Sequence, residues 1–227
     1  MAAAKMTSSA LIAAVLLCLC LCAAEAKVDA DLVAKACANA TGDLTLAHRF
    51  KGPGLTRESC ESALQSDKRS AVATHPRDLA LIAMDLLLSA TAAADAKVDI
   101  VLRSGKWDKV TVLELQYCRV DYGTLLQRTV PVCRAIVQEY NPSTANDSRG
   151  QDQDNDLDNL LVSDHYFACV DRLRNAAADC WQQLYFADFV DTRAKAKKAV
   201  WKEVVEAASR AILAKAMVEQ MLGEVDF

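Results

Sequence analysis

Four cysteines spread over residues 110–186 constrain this chain more than any other feature. Cys118 and Cys133 stand fifteen residues apart in a segment, Val110 to Tyr140, that reads as helix. At about 100° per residue they fall within about 60° of one face. Cys169 and Cys180 stand eleven apart in a second helical segment, Leu160 to Phe186, and come within about 20° of each other. Each helix therefore presents two cysteines on one side, and the two can be riveted together. With the helices antiparallel and Cys118 opposite Cys180, the remaining cysteines lie about 22 Å and about 16 Å further along, a mismatch of about one turn. A crossing angle can absorb it, or a kink at Pro131, which deletes the hydrogen bond to Gln127 and bends the helix. Nested bridges Cys118–Cys180 and Cys133–Cys169 are the expected arrangement among the fifteen pairings that six cysteines allow.

Only six of the nine cysteines enter that count, because of how the chain begins. Lys5, an apolar run from Ala10 to Ala24 and the small-x-small triplet Ala24-Glu25-Ala26 read as a secretory signal peptide, 1–26, cleaved after Ala26. Cys18, Cys20 and Cys22 leave with it, and an even number remains for an oxidising compartment. No later stretch has the roughly 18 uncharged apolar residues that a span requires, so no membrane is expected for the mature form. Its net charge stays at -4, since Lys5 and Glu25 cancel; that charge is too small to point to nucleic acid. Seven glycines and four prolines supply little of the turn chemistry that sheets need, and the expectation is all-α.

Residues 27–227 then read as one domain. An N-terminal hairpin, 27–70, pairs a short helix from Val28 to Ala40, carrying Cys37, with a second from Thr56 to Gln65, carrying Cys60 and capped by Thr56. A Cys37–Cys60 bridge would hold two helices too short to persist alone. The remainder, 75–222, reads as an up-down-up-down four-helix bundle. Its first helix starts at Pro76, carries Leu79, Ala83, Leu86, Ala90 and Ala93 as a core stripe, and ends at Ser104-Gly105 with Trp107 over the end. The segments holding the four cysteines follow, separated by a mobile linker, 141–158, rich in aspartate. The last helix, Thr192 to Leu222, carries Val200, Val204, Ala207, Ala211, Ala214, Val218 and Met221 in steps of four and three, the spacing of a bundle seam.

Chemistry is sparse. The three histidines, His48, His75 and His165, are scattered, and no nucleophile elbow, zinc-protease or phosphate-loop motif occurs, so no enzyme and no cofactor is expected. His165 and Cys169 have zinc-compatible spacing, but a secreted cysteine with a candidate partner favours a bridge. Asp152, Asp154 and Asp156 imitate half a calcium loop; Leu157 and Ser163 stand where its glycine and final glutamate belong, and no metal site is expected. Asn39-Ala-Thr41 and Asn146-Asp-Ser148 are glycosylation sequons, with Asn146 the more accessible. The basic cluster Arg193, Lys195, Lys197, Lys198 and Lys202 reads as a solvated helix face, and Trp181 and Trp201 as packing.

Four stretches carry a resemblance. They are Cys37-Ala-Asn-Ala-Thr41 with Cys60 after it, Arg77-Asp-Leu-Ala-Leu-Ile-Ala83, Leu115-Gln-Tyr-Cys118-Arg-Val-Asp-Tyr122, and Ala176-Ala-Ala-Asp-Cys180. In order and context they resemble the plant invertase/pectin methylesterase inhibitor family. The resemblance implies bridges Cys37–Cys60 and Cys118–Cys180, and a secreted protein of the cell wall, or alternatively the vacuole. It also implies a protein partner, pectin methylesterase or acid invertase, met by the middle bundle helices at 110–140 and 160–187. The loop after Cys37 is longer than the family's, Cys133 and Cys169 exceed its core four, and the Pro-Lys-Phe triplet of some invertase inhibitors is absent; the esterase is the expected target. A lipid-carrying or structural helical protein is the reading from another class, although the mature chain lacks the adjacent Cys-Cys and Cys-x-Cys pairs of plant lipid-transfer proteins.

Overall fold

The computed structural model describes residues 32–41, 54–105, 107–140, 168–169, 171–173, 175, 179–185 and 191–223. Among them every regular element is helical and there is no strand. Helix α1 covers 32–41. Helix α2, Arg57–Gln65, is followed by a 3-10 turn, Lys68–Val72. Helix α3 is Pro76–Ser104 and α4 is Lys109–Thr124; a π-helical turn, Leu125–Thr129, leads into α5, Val130–Glu139. We label as α6 the described residues between 168 and 185, all helical, and as α7 the helix Asp191–Gly223. The leader, the loop after α1, the linker 141–158 and Asn146 lie outside the described residues.

Local chemistry sets the boundaries. The Thr56 hydroxyl accepts from the Ser59 N–H at 3.1 Å while Ser59 Oγ accepts from the Thr56 N–H at 2.9 Å, a reciprocal cap that starts α2. The Asp78 carboxylate accepts from the N–H groups of Thr74 and His75 at 3.1 Å, with Pro76 at the first position of α3, where no amide donor is needed. At the other end Trp107 Nε1 donates to the Val101 carbonyl at 2.8 Å, and a Cβ on Gly105 would collide with the indole. Asp108 caps α4 by accepting from Val110 and Thr111 at 3.0 Å.

The core is built chiefly by α3 against α7, with α4 and α5 on another side of α3. All seven expected seam residues of α7, from Val200 to Met221, are buried. In α3 the expected stripe needs correction. Leu79 and Ala83 are buried, but Leu86 and Ala90 are only half-buried and Ala93 is exposed; Leu87, Thr91, Ala94, Val98 and Val101 take their places. The apolar surface of α3 has to serve neighbours on two sides, so no single three-four stripe describes it. Helix α3 is long and apolar enough to cross a membrane by length and composition, although Asp85 and Asp95 interrupt it and no run of 18 uncharged residues occurs in it. In the structure that apolar surface is packed on α7, and Asp85 in its middle takes two arginines.

A second correction concerns the segment 110–140. It is helical from Lys109 to Glu139 but not α-helical throughout. The ladder widens earlier, where the Val130 N–H donates to the Leu125 carbonyl, an i to i+5 bond. Pro131 then falls in the first turn of α5, directly after the widened turn. The extra residue turns Cys133 by about 100° relative to an uninterrupted helix.

Polar pairs fix the direction of α4–α5. Arg119 reaches Asp99 and Asp95 on α3 at 2.6 and 3.2 Å, Arg134 reaches Asp85 at 3.0 Å, and Arg77 donates to the Tyr140 carbonyl at 3.3 Å. Numbers rise on one helix as they fall on the other, so the two run antiparallel. Asp85 also holds Arg69 of the 3-10 turn at 2.8 Å, and Gln220 of α7 donates to the Ala36 carbonyl of α1 at 2.6 Å. The N-terminal helices are thereby tied to the main packing at both places.

Candidate functional site

The six cysteines form three disulfides. Cys37 joins α1 to α2 with Cα atoms 5.6 Å apart, Cys118 joins α4 to Cys180 of α6 at 4.7 Å, and Cys133 joins α5 to Cys169 of α6 at 5.4 Å. The last two are nested and cross-link antiparallel segments like the rungs of a ladder. Three buried disulfides agree with an oxidising, secretory-pathway environment.

Between the rungs lies a cleft of about 430 Å³. One wall, from α4 to α5, brings Asp121, Thr124, Arg128, Thr129 and Val132; the other, from α6, brings Arg172, Asn175 and Asp179, spaced three and four apart on one helical face. Asp121 is the most perturbed acid of this region. Burial, and then the charge of Asp179 across the cleft, push its carboxyl up to about 6. Its Oδ2 is buried with no hydrogen-bond partner among the described residues. The neighbouring Tyr122 hydroxyl is likewise buried and without a described partner, and burial, with the charges of Asp121 and Asp95, raises its pKa.

The outer surface of α4 is the other unusual feature. Val110, Leu113, Tyr117 and Val120 are 44, 51, 51 and 64% exposed and follow one another in steps of three, four and three. Thr111, Leu115, Cys118 and Tyr122 are buried and step four, three and four. At about 100° per residue the two stripes are centred about 150° apart, so α4 carries an apolar ridge facing away from its own core. The disulfide to Cys180 sits beneath that ridge.

At the junction of α6 and α7, Trp181 stacks on Tyr185 with centroids 5.0 Å apart and lies 6.5 Å from Trp201. Lys197 stands over Trp201 at 4.9 Å and over Tyr185 at 5.5 Å. The tryptophans thus pack as expected, and Lys197 departs from the solvated basic face by lying on the Trp201 and Tyr185 rings; Lys195, Lys198 and Lys202 are exposed. Asn39 is exposed on α1, and Thr41 of its sequon donates to the Cys37 carbonyl at 2.8 Å. Asn146, His48, His165 and Ala26 lie outside the described residues. Among the described residues no three His, Cys, Asp or Glu side chains converge as metal ligands would.

Neither the ridge nor the polar cleft was among the features expected from the sequence. The ridge was signalled by a second three-four series on α4, and the cleft by charged residues falling between paired cysteines. Comparison with family models, with curated proteins and with solved structures gives no match.

Proposed function

We propose that the chain is a secreted plant inhibitor of a cell-wall carbohydrate enzyme, pectin methylesterase first and acid invertase as the alternative. In this reading it has no catalytic role and acts in the apoplast by docking a preorganised helical face over the enzyme's active-site cleft. The observation that carries the reading is the apolar ridge Val110, Leu113, Tyr117 and Val120 on a helix stapled beneath by a disulfide. Exposed apolar surface of this regularity marks a protein contact, and a stapled helix loses little conformational entropy when it binds. The antiparallel order of α3, α4–α5 and α6, with α7 against α3, supports an up-down-up-down four-helix bundle behind an N-terminal hairpin.

The test is titration of the oxidised protein against a plant pectin methylesterase and an acid invertase at the mildly acidic pH of the cell wall. Stoichiometric inhibition of the esterase supports the first reading, and inhibition of the invertase alone supports the alternative. Inhibition of neither overturns both.

A further inference from the structure

We propose that the cleft between the two disulfide rungs binds a small hydroxylated carboxylate, a sugar acid being the simplest form. The inference stands on the cleft itself and not on enzyme inhibition. A volume of about 430 Å³ falls in the range of small-molecule sites. Its walls are tied together by Cys118–Cys180 beyond one end and Cys133–Cys169 at the other, which limits how far the backbones that carry its side chains can move apart.

Its polar groups choose the ligand. Arg128 and Arg172 come from opposite walls. Elsewhere Arg57, Arg69, Arg103, Arg119, Arg134 and Arg210 are each engaged by a carboxylate; these two have none among the described residues. Two arginines lining one cleft are matched by a carboxylate, which a guanidinium can hold with a pair of parallel hydrogen bonds. The rest of the cleft asks for hydroxyl groups. Asp121 and Asp179 line it with carboxyl groups, and the Asn175 amide and the Thr129 hydroxyl both give and take. An ion without hydroxyls leaves those groups unanswered, and a neutral sugar leaves the arginines so.

Charge sets the pH behaviour. Asp121 has Asp179 and Arg172 across the cleft on α6, Arg128 on its own side, and the Tyr122 hydroxyl beside it, which feels Asp95 of α3. With every acid ionised the two arginines and two aspartates cancel. Once Asp121 takes up its proton near pH 6, the cleft carries one net positive charge and gains a donor, while the ligand's carboxylate, with an ordinary value of about 3.5, stays ionised. Binding should therefore tighten as pH falls from about 7 to about 5.

The experiment is calorimetric titration of the full, oxidised protein with D-glucuronate, D-glucose and L-serine at about pH 5 and about pH 7.5. The expected result is saturable one-to-one binding of glucuronate with Kd on the order of millimolar, tighter at the lower pH, and no saturation with the other two. Arg128→Gln and Arg172→Gln, at exposed positions, should keep the melting temperature and each weaken glucuronate by about tenfold. The proposal is overturned if glucuronate does not saturate, if glucose or serine binds as well, or if both variants bind like the parent. None of these outcomes depends on whether either plant enzyme is inhibited.

Discussion

Arg134 of α5 and Arg69 of the turn after α2 hold the two oxygens of one carboxylate, Asp85, at 3.0 and 2.8 Å. Asp85 lies in the middle of α3, so a single side chain fastens both the N-terminal region and α5 to the central helix. Burial disfavours its charge, but the hydrogen bonds from Arg134 and then Arg69 outweigh that and hold its carboxyl below the usual range. The side-chain and backbone hydrogen bonds of Arg69 likewise hold Asp67 down at about 2.

Removing this clasp should be measurable. Asp85→Asn keeps the shape and loses the charge, and is expected to lower stability by about 1–2 kcal/mol, discounted for partial solvent access. For a chain of this size that is a fall of about 2–8 °C in Tm, to be read by calorimetry. An unchanged Tm would show that the arginines find other partners.

Acid should act in two separate windows. Asp67 and Asp85 have depressed folded values, so their stabilisation is complete above the unfolded value of about 3.9 and is lost as pH falls below it, for Asp67 through about 2. Asp121 has a raised folded value of about 6, so the fold binds its proton more readily than the unfolded chain does, and stability declines as pH rises from about 4 through 6. The expected stability maximum lies between, at about pH 4–5. Asp121→Asn should flatten the decline above it and raise stability at about pH 7 by on the order of 1 kcal/mol. Urea midpoints across that range check both, and a slope that survives Asp121→Asn would assign it to another group.

The nested rungs should contribute separately. Replacing Cys133 and Cys169 together by serine opens a loop of 36 residues, expected to cost about 4 kcal/mol on the loop-entropy account. With Cys118–Cys180 intact the protein should still fold cooperatively. Guanidinium unfolding of the variant gives the number, and a loss below about 1 kcal/mol would mean that α5 and α6 stay together without the bond.

Much of this arrangement was legible in the sequence. The cysteine spacings placed each pair on one helical face, and the α7 seam was read correctly because that helix has one dominant partner, α3. The π-helical turn was not legible, for Leu125 to Thr129 contains neither glycine nor proline; its one sign, Pro131, stands beyond it. Asp85 gave no hint of its role, because its partners are 16 and 49 residues away. On α4 both the buried and the exposed series are apolar at helical spacing, and periodicity alone does not say which of two such faces turns inward.

That second face supplies the sharpest test of the docking proposal. Leu113 and Tyr117 are about half exposed, at 51% each, so Leu113→Ser and Tyr117→Ser should change folding stability by no more than about 0.5 kcal/mol. At the centre of an interface the same truncations typically cost about 2 kcal/mol or more each, or about thirtyfold in affinity. Inhibition constants for the two variants against the responsive enzyme, set beside their thermal melts, separate the two roles. Lost inhibition with an unmoved melt makes the ridge the contact surface. Full inhibition would move the contact off α4 and leave the ridge without its proposed purpose.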